Sequence, residues 1–194
     1  MKPALPIATL LALLTAAPLF AEPATFRIDP EHFSIVFRSE HMGYEKLMGM
    51  FTKASGEFVY DDQTRKLSSG AVEVQAASVF TNHEGRDDHV RSADFLHAEK
   101  YPVIRFTARS YEPGDKNEGT LRGDLTLLGE THPVEIEVRV NKAAKYSFGH
   151  GKYTLGVSAR ARLKRSQWGM TYGLKPSMVG DEVELMFEFE ALRE

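Results

Sequence analysis

Cysteine is absent from the 194-residue chain, and tryptophan occurs once. Without cysteine there is no disulfide framework, no zinc–thiolate site, no acylated N-terminal cysteine and no thiol nucleophile. Stability must come from a hydrophobic core, which a chain of this length can bury. A dominant charge is lacking too. Lys and Arg total 24 against 27 Asp and Glu, a net charge of −3 at pH 7. Nucleic acid is therefore not an expected partner. No G-x-S-x-G elbow marks a serine hydrolase, and there is no internal repeat, low-complexity tract or linker.

Long apolar runs are confined to the N-terminus. "MKPALPIATLLALLTAAPLFA" begins with Lys2, continues as an Ala/Leu-rich stretch bracketed by Pro6 and Pro18, and ends in small residues at Ala21. That order is the n-region, h-region and cleavage site of a secretory signal peptide. The expected organisation is a signal over residues 1–21 and one domain over 22–194, exported most simply to a bacterial periplasm.

What is abundant in the remainder is alternation. "VEIEVRV" sets Val134, Ile136, Val138 and Val140 against Glu135, Glu137 and Arg139. "YTLGVSARARL" (153–163) and "VELMFEFE" (183–190) alternate in the same way. Period-2 patterning predicts half-buried antiparallel strands. Further strands are predicted at 33–39, 48–52, 56–60, 71–75, 103–110 and 120–127. The turn signals "YDDQT", "EPGDKNEGT", "LGETHP" and "FGHGK" separate strands. About eight such strands make an all-β domain, closed as a barrel or stacked as a sandwich. A barrel of that size either packs solid or holds one small ligand. The row Val157, Ala159, Ala161 is small, which favours room inside. Apolar-face aromatics could line that room or fill it.

One segment breaks the rhythm. "TNHEGRDDHVRSADFLHAEKYP" (81–102) concentrates His83, Asp87, Asp88, His89, Asp94 and His97. Thr81 and Glu84 have capping-box spacing, so a short helix is expected, with Asp87 paired to Arg91 at i,i+4 and with Val90 and Phe95 facing inward. The cluster lacks the convergent ligand spacing of a metal site and a positioned nucleophile. It is expected to be a structural cap over one barrel end, with no catalytic, metal or cofactor role. A metal-dependent enzyme built on His83–Asp94 is the competing reading.

The motifs carry a resemblance. His41-Met42-Gly43-Tyr44, Gly49-Met50-Phe51, Arg86-Asp87 with His89-Val90-Arg91-Ser92 and Asp94-Phe95, Lys100-Tyr101-Pro102, Gly123-Asp124-Leu125-Thr126, Gly129 to Val134, and Arg165-Ser166 with Trp168-Gly169 resemble the blocks of the YceI family, periplasmic lipocalin-like proteins described as polyisoprenoid-binding. Val90 stands in a usual Leu place, His132 where Lys or Arg is frequent, and Trp168 in a Phe place. The resemblance implies a lipocalin-like antiparallel barrel with an elongated apolar cavity, holding a polyprenyl or quinone-like chain, and no shared catalytic mechanism. By strand parity the expected ligand-lining residues are Phe37, Phe51, Phe58, Phe106, Leu125, Val157, Ala159, Leu185 and Phe187, with His41 near the mouth. A ligand-free partner-binding barrel is the alternative. A homodimer pairing through the acidic strands is left open.

Overall fold

The structure is a computed structural model that describes residues 22–194; the expected signal peptide and its cleavage site at Ala21 lie outside the described residues. Strands β1 (Ala24–His41), β2 (Glu45–Phe51), β3 (Ala54–Asp61), β4 (Lys66–Gln75) and β5 (Val79–Phe80) precede helix α1 (Glu84–Arg91). Strands β6 (Val103–Pro113), β7 (Glu118–Leu127), β8 (Glu130–Lys145), β9 (Tyr153–Lys164) and β10 (Val179–Arg193) follow. The hydrogen-bonded order β10-β9-β8-β7-β6-β4-β3-β1 closes through β1–β10, making an eight-stranded antiparallel barrel. Closure removes the exposed edges that an open sheet of this size would present.

Strand β1 serves two neighbours on one side. Its first part pairs with β3 (Ala24↔Tyr60 to Arg27↔Glu57), and its last part with β2 (Ile35↔Phe51 to His41↔Glu45). On its other side it runs along β10, with an irregularity in which the stretch from Ile28 to Phe33 faces only Ala191 to Phe189. Phe26 and Ile28 face inward on even numbers, whereas Phe33, Ile35 and Phe37 do so on odd ones. A single-residue change of phase would turn every later side chain outward. The bulge absorbs that change, so both apolar sets reach the interior.

The β7–β8 hairpin turns on Leu128 and Gly129, with φ of 53° and 80°. Two central residues of positive φ define the type I′ turn that matches strand twist, and a Cβ at Gly129 would stand 2.8 Å from the Tyr101 ring.

Two buried clusters divide the core. Phe26, Tyr60, Leu155, Val157 and Ala191 fill one end. Ile35, Phe51, Val74, Val79, Leu96, Leu127, Trp168 and Met170 fill the other. Leu96, Trp168 and Met170 of the second cluster belong to connections between strands.

The capping segment differs in detail from its sequence reading. The helix N-cap is His83, whose Nδ1 accepts from the Arg86 backbone N–H at 3.2 Å. Thr81 lies outside the helix because Asp87 takes both its donors: the backbone N–H at 2.6 Å and the hydroxyl at 2.5 Å. With Asp87 buried and so occupied, Arg91 pairs instead with Asp88 at 2.7 Å, one helical turn away. The two-residue strand β5, which adds to β2 through Met50↔Phe80 and Phe51↔Val79, is too short to register as alternation.

Candidate functional site: an apolar tunnel

A cavity of about 610 Å³ runs through the barrel. All ten residues expected to face it do line it: Phe37, His41, Phe51, Phe58, Phe106, Leu125, Val157, Ala159, Leu185 and Phe187. The cavity stays open because of what stands opposite the rings. Phe37 lies against Gly49 and Phe106 against Gly123, so close that a Cβ on either glycine would collide with the ring. The rings are thus laid along the wall instead of projecting across the lumen. Ala159 pairs with Phe187 and with Val138, and Ala161 with Leu185, so each small residue has a larger one beside it in the wall.

Exposure of the lining is concentrated at one end. Met42 is 52% exposed and Tyr172 39%, and both line the cavity together with Glu40, His41 and Glu45. These residues come from the β1–β2 hairpin and the connection between β9 and β10. At the other end Leu155 is 0% and Tyr60 7% exposed, while Leu67, Tyr111 and Val140 are half-buried. The tunnel therefore has a mouth and a deep end.

Polar side chains gather at the mouth. Arg86 and His89 reach the cavity from α1. The Arg86 guanidinium is held by the Thr81 hydroxyl (2.9 Å) and carbonyl (2.6 Å). The His89 Nε2 lies 2.8 Å from Asp94, and its ring meets Phe95 and Tyr172 edge-on, at centroid distances of 5.1 and 4.9 Å. Val90 and Phe95 line the cavity as expected. The side chains of the 81–102 segment are thus engaged in packing, capping and pairing, mostly with one another.

Arg165 is the residue that sequence reasoning missed. It is 2% exposed, yet it lines the cavity. Its guanidinium donates to the carbonyls of Gly180, Met170, Tyr172 and Val179, at 2.7, 2.8, 2.8 and 2.9 Å. Burial pulls its pKa below the ordinary arginine value, with Asp181 opposing. Four carbonyls converge on one side chain, so Arg165 fixes the path of residues 170–180 and shapes the mouth. The Arg165-Ser166 motif marked the position but not this role, because the accepting carbonyls carry no sequence signature.

A closed antiparallel barrel around an apolar tunnel with a polar mouth is the architecture of a lipocalin-like binding protein. A family profile described as "YceI-like domain" matches residues 26–191, and the chain belongs to the YceI family. It is 35% identical over 192 residues to protein YceI of Escherichia coli O157:H7, covering 96% of this chain and 98% of that one. A crystal structure of the Campylobacter jejuni YCEI protein superimposes with a TM-score of 0.69 at 28% identity, covering 80% of this chain and 89% of the other. The fold is shared with a polyisoprenoid binding domain from Saccharophagus degradans, at a TM-score of 0.66 and 13% identity, over 89% of this chain and all of that one.

Proposed function

We propose that the protein is a non-enzymatic carrier that holds a long isoprenoid chain, polyprenyl or quinone-like, in the barrel, for transport, storage or protection in the periplasm. The observation that carries this reading is the tunnel: a cavity lined mainly by aliphatic and aromatic side chains, with most of its polar lining gathered at the mouth. Such a lumen binds by burial alone. Each methylene taken from water contributes about 0.8 kcal/mol, so several isoprene units outweigh the cost of ordering the chain. The Saccharophagus degradans domain is described as polyisoprenoid-binding. At its low identity it supports the fold, and the ligand class rests on this chain's own lumen. The periplasmic setting is supported by the signal-like order of residues 1–21.

The test is to express the full chain in a Gram-negative host and analyse the periplasmic protein by native mass spectrometry and organic extraction. A protein starting near Glu22 with a co-extracted isoprenoid is expected. A protein that yields no lipid and cannot be loaded with a polyprenol would overturn the carrier reading. A chain retaining Met1 in the membrane pellet would overturn the export reading.

A further inference from the structure

The bulge in β1 lies outside the tunnel and builds a second site. Between Ile28 and Phe33 the strand loops away from β10, carrying Asp29 and His32 beside the outward-facing Glu190. One donor atom from each of the three residues lies within 4.8 Å of the others. The Asp29 side chain is only 10% exposed, and its Oδ2 stands 2.8 Å from His32 Nδ1.

Three further observations bear on this cluster. The Oε2 atom of Glu190 is shielded from solvent and has no hydrogen-bond partner among the described residues. A shielded carboxylate oxygen without a donor is costly and calls for a cation or a proton. Next, the groove over it, about 380 Å³, is lined by Glu31, Glu188 and Glu190 with His32, and by no Lys or Arg. Its negative charge is thus uncompensated by the lining. Finally, there is space: Glu190 pairs across the sheet with Gly156, where an added Cβ would find nothing nearer than 3.9 Å.

We infer that Asp29, His32 and Glu190 bind a divalent transition-metal ion that clamps β1 to β10 at the barrel's closing seam. One imidazole with two carboxylates suits the borderline ion Zn²⁺ and is accepted by the harder Mn²⁺, whereas Mg²⁺ and Ca²⁺ favour all-oxygen sites. Metal–ligand bonds of about 2.0–2.2 Å would draw together donor atoms that now lie within 4.8 Å of one another. The site stands independently of the lipid reading, although its two strands also carry Phe33 and Phe189 into the tunnel wall.

The test uses the mature chain stripped with a chelator and titrated at neutral pH with Zn²⁺, Mn²⁺, Mg²⁺ or Ca²⁺, followed by calorimetry and thermal melting. One Zn²⁺ or Mn²⁺ per chain is expected, with a melting temperature that rises on saturation, and no response to Mg²⁺ or Ca²⁺ at the same concentrations. Glu190→Gln and His32→Asn should each weaken binding about tenfold or more, while His132→Ala, on β8 and outside the cluster, should not. Co²⁺ gives a readout free of folding effects: its visible absorption should shift on binding and lose that shift in the variants. No transition-metal binding, or binding unchanged in both Glu190→Gln and His32→Asn, would overturn the proposal.

Discussion

The two ends of the tunnel are closed by different physics. The deep end is made by strands alone: Phe26, Leu155 and Ala191 pack at 0–1% exposure, and the Phe26 and Phe58 rings stack at 5.6 Å. The mouth is made by connections. α1 and residues 92–102 lie over it, and Arg165 ties the chain from Met170 to Gly180. Strand pairing satisfies its own backbone, so the deep end needs only apolar side chains. Connections leave carbonyls unsatisfied, and at the mouth buried polar side chains take that task. The more exposed end of the tunnel is thus the end held by specific side-chain hydrogen bonds.

Arg165→Ala should break this comparison most severely. Four carbonyls lose their donor at once, and a loss of about 3–5 kcal/mol is expected in denaturant unfolding, together with lost lipid retention. At the deep end Leu155→Ala should cost about 3 kcal/mol through the cavity it leaves, yet lipid should still co-extract, because the change only lengthens the tunnel. If Leu155→Ala abolished retention and Arg165→Ala did not, the ends would have been assigned the wrong roles. Asp87→Ala should cost about 2 kcal/mol by chemical denaturation, since it strands the Thr81 donors inside the protein.

Ala159→Phe sharpens the contrast midway along the tunnel. In a filled core it would cost about 1–3 kcal/mol. Here it should shift the melting curve little in the lipid-free protein and block retention in a parallel extraction assay. The smallest effect concerns the outer seam near the mouth. Glu184 bonds to Lys46 at 2.7 Å and to Arg38, and these partners hold its carboxyl below the ordinary value of 4.5. A depressed folded pKa means stability that is present above the unfolded value and lost as pH falls through the folded one. The melting temperature of the wild type relative to Glu184→Gln should therefore be level above pH 4.5 and fall below it. An unchanged difference across that range would show that the ion pairs are only superficial.

Much of this was legible in the chain. Alternation is a local, periodic signal, so the strands containing 134–140, 153–163 and 183–190 could be read directly, and parity then put Phe37, Ala159 and Phe187 on the inner wall. The capping segment was legible in kind but not in wiring. Capping-box spacing pointed to Thr81, yet tertiary packing buried Asp87 and gave it Thr81 as a partner, which moved the N-cap to His83. The β1 bulge was illegible, because "DPEHF" breaks the alternation without stating where the strand resumes. Arg165 was illegible as a structural centre, because carbonyls are the same in every residue.

The pattern of side chains by itself determined an all-β domain, its inner and outer faces and its family. Those follow from which atoms avoid water, a property each residue carries alone. Whether the inside would be full or hollow, which end would open, and that Asp29, His32 and Glu190 would meet were decided only in the closed barrel. Each depends on which residue of another strand lies alongside: Gly49 under Phe37, Gly123 under Phe106, the bulge beside β10. Register and closure set those neighbours, and neither exists until distant strands have paired.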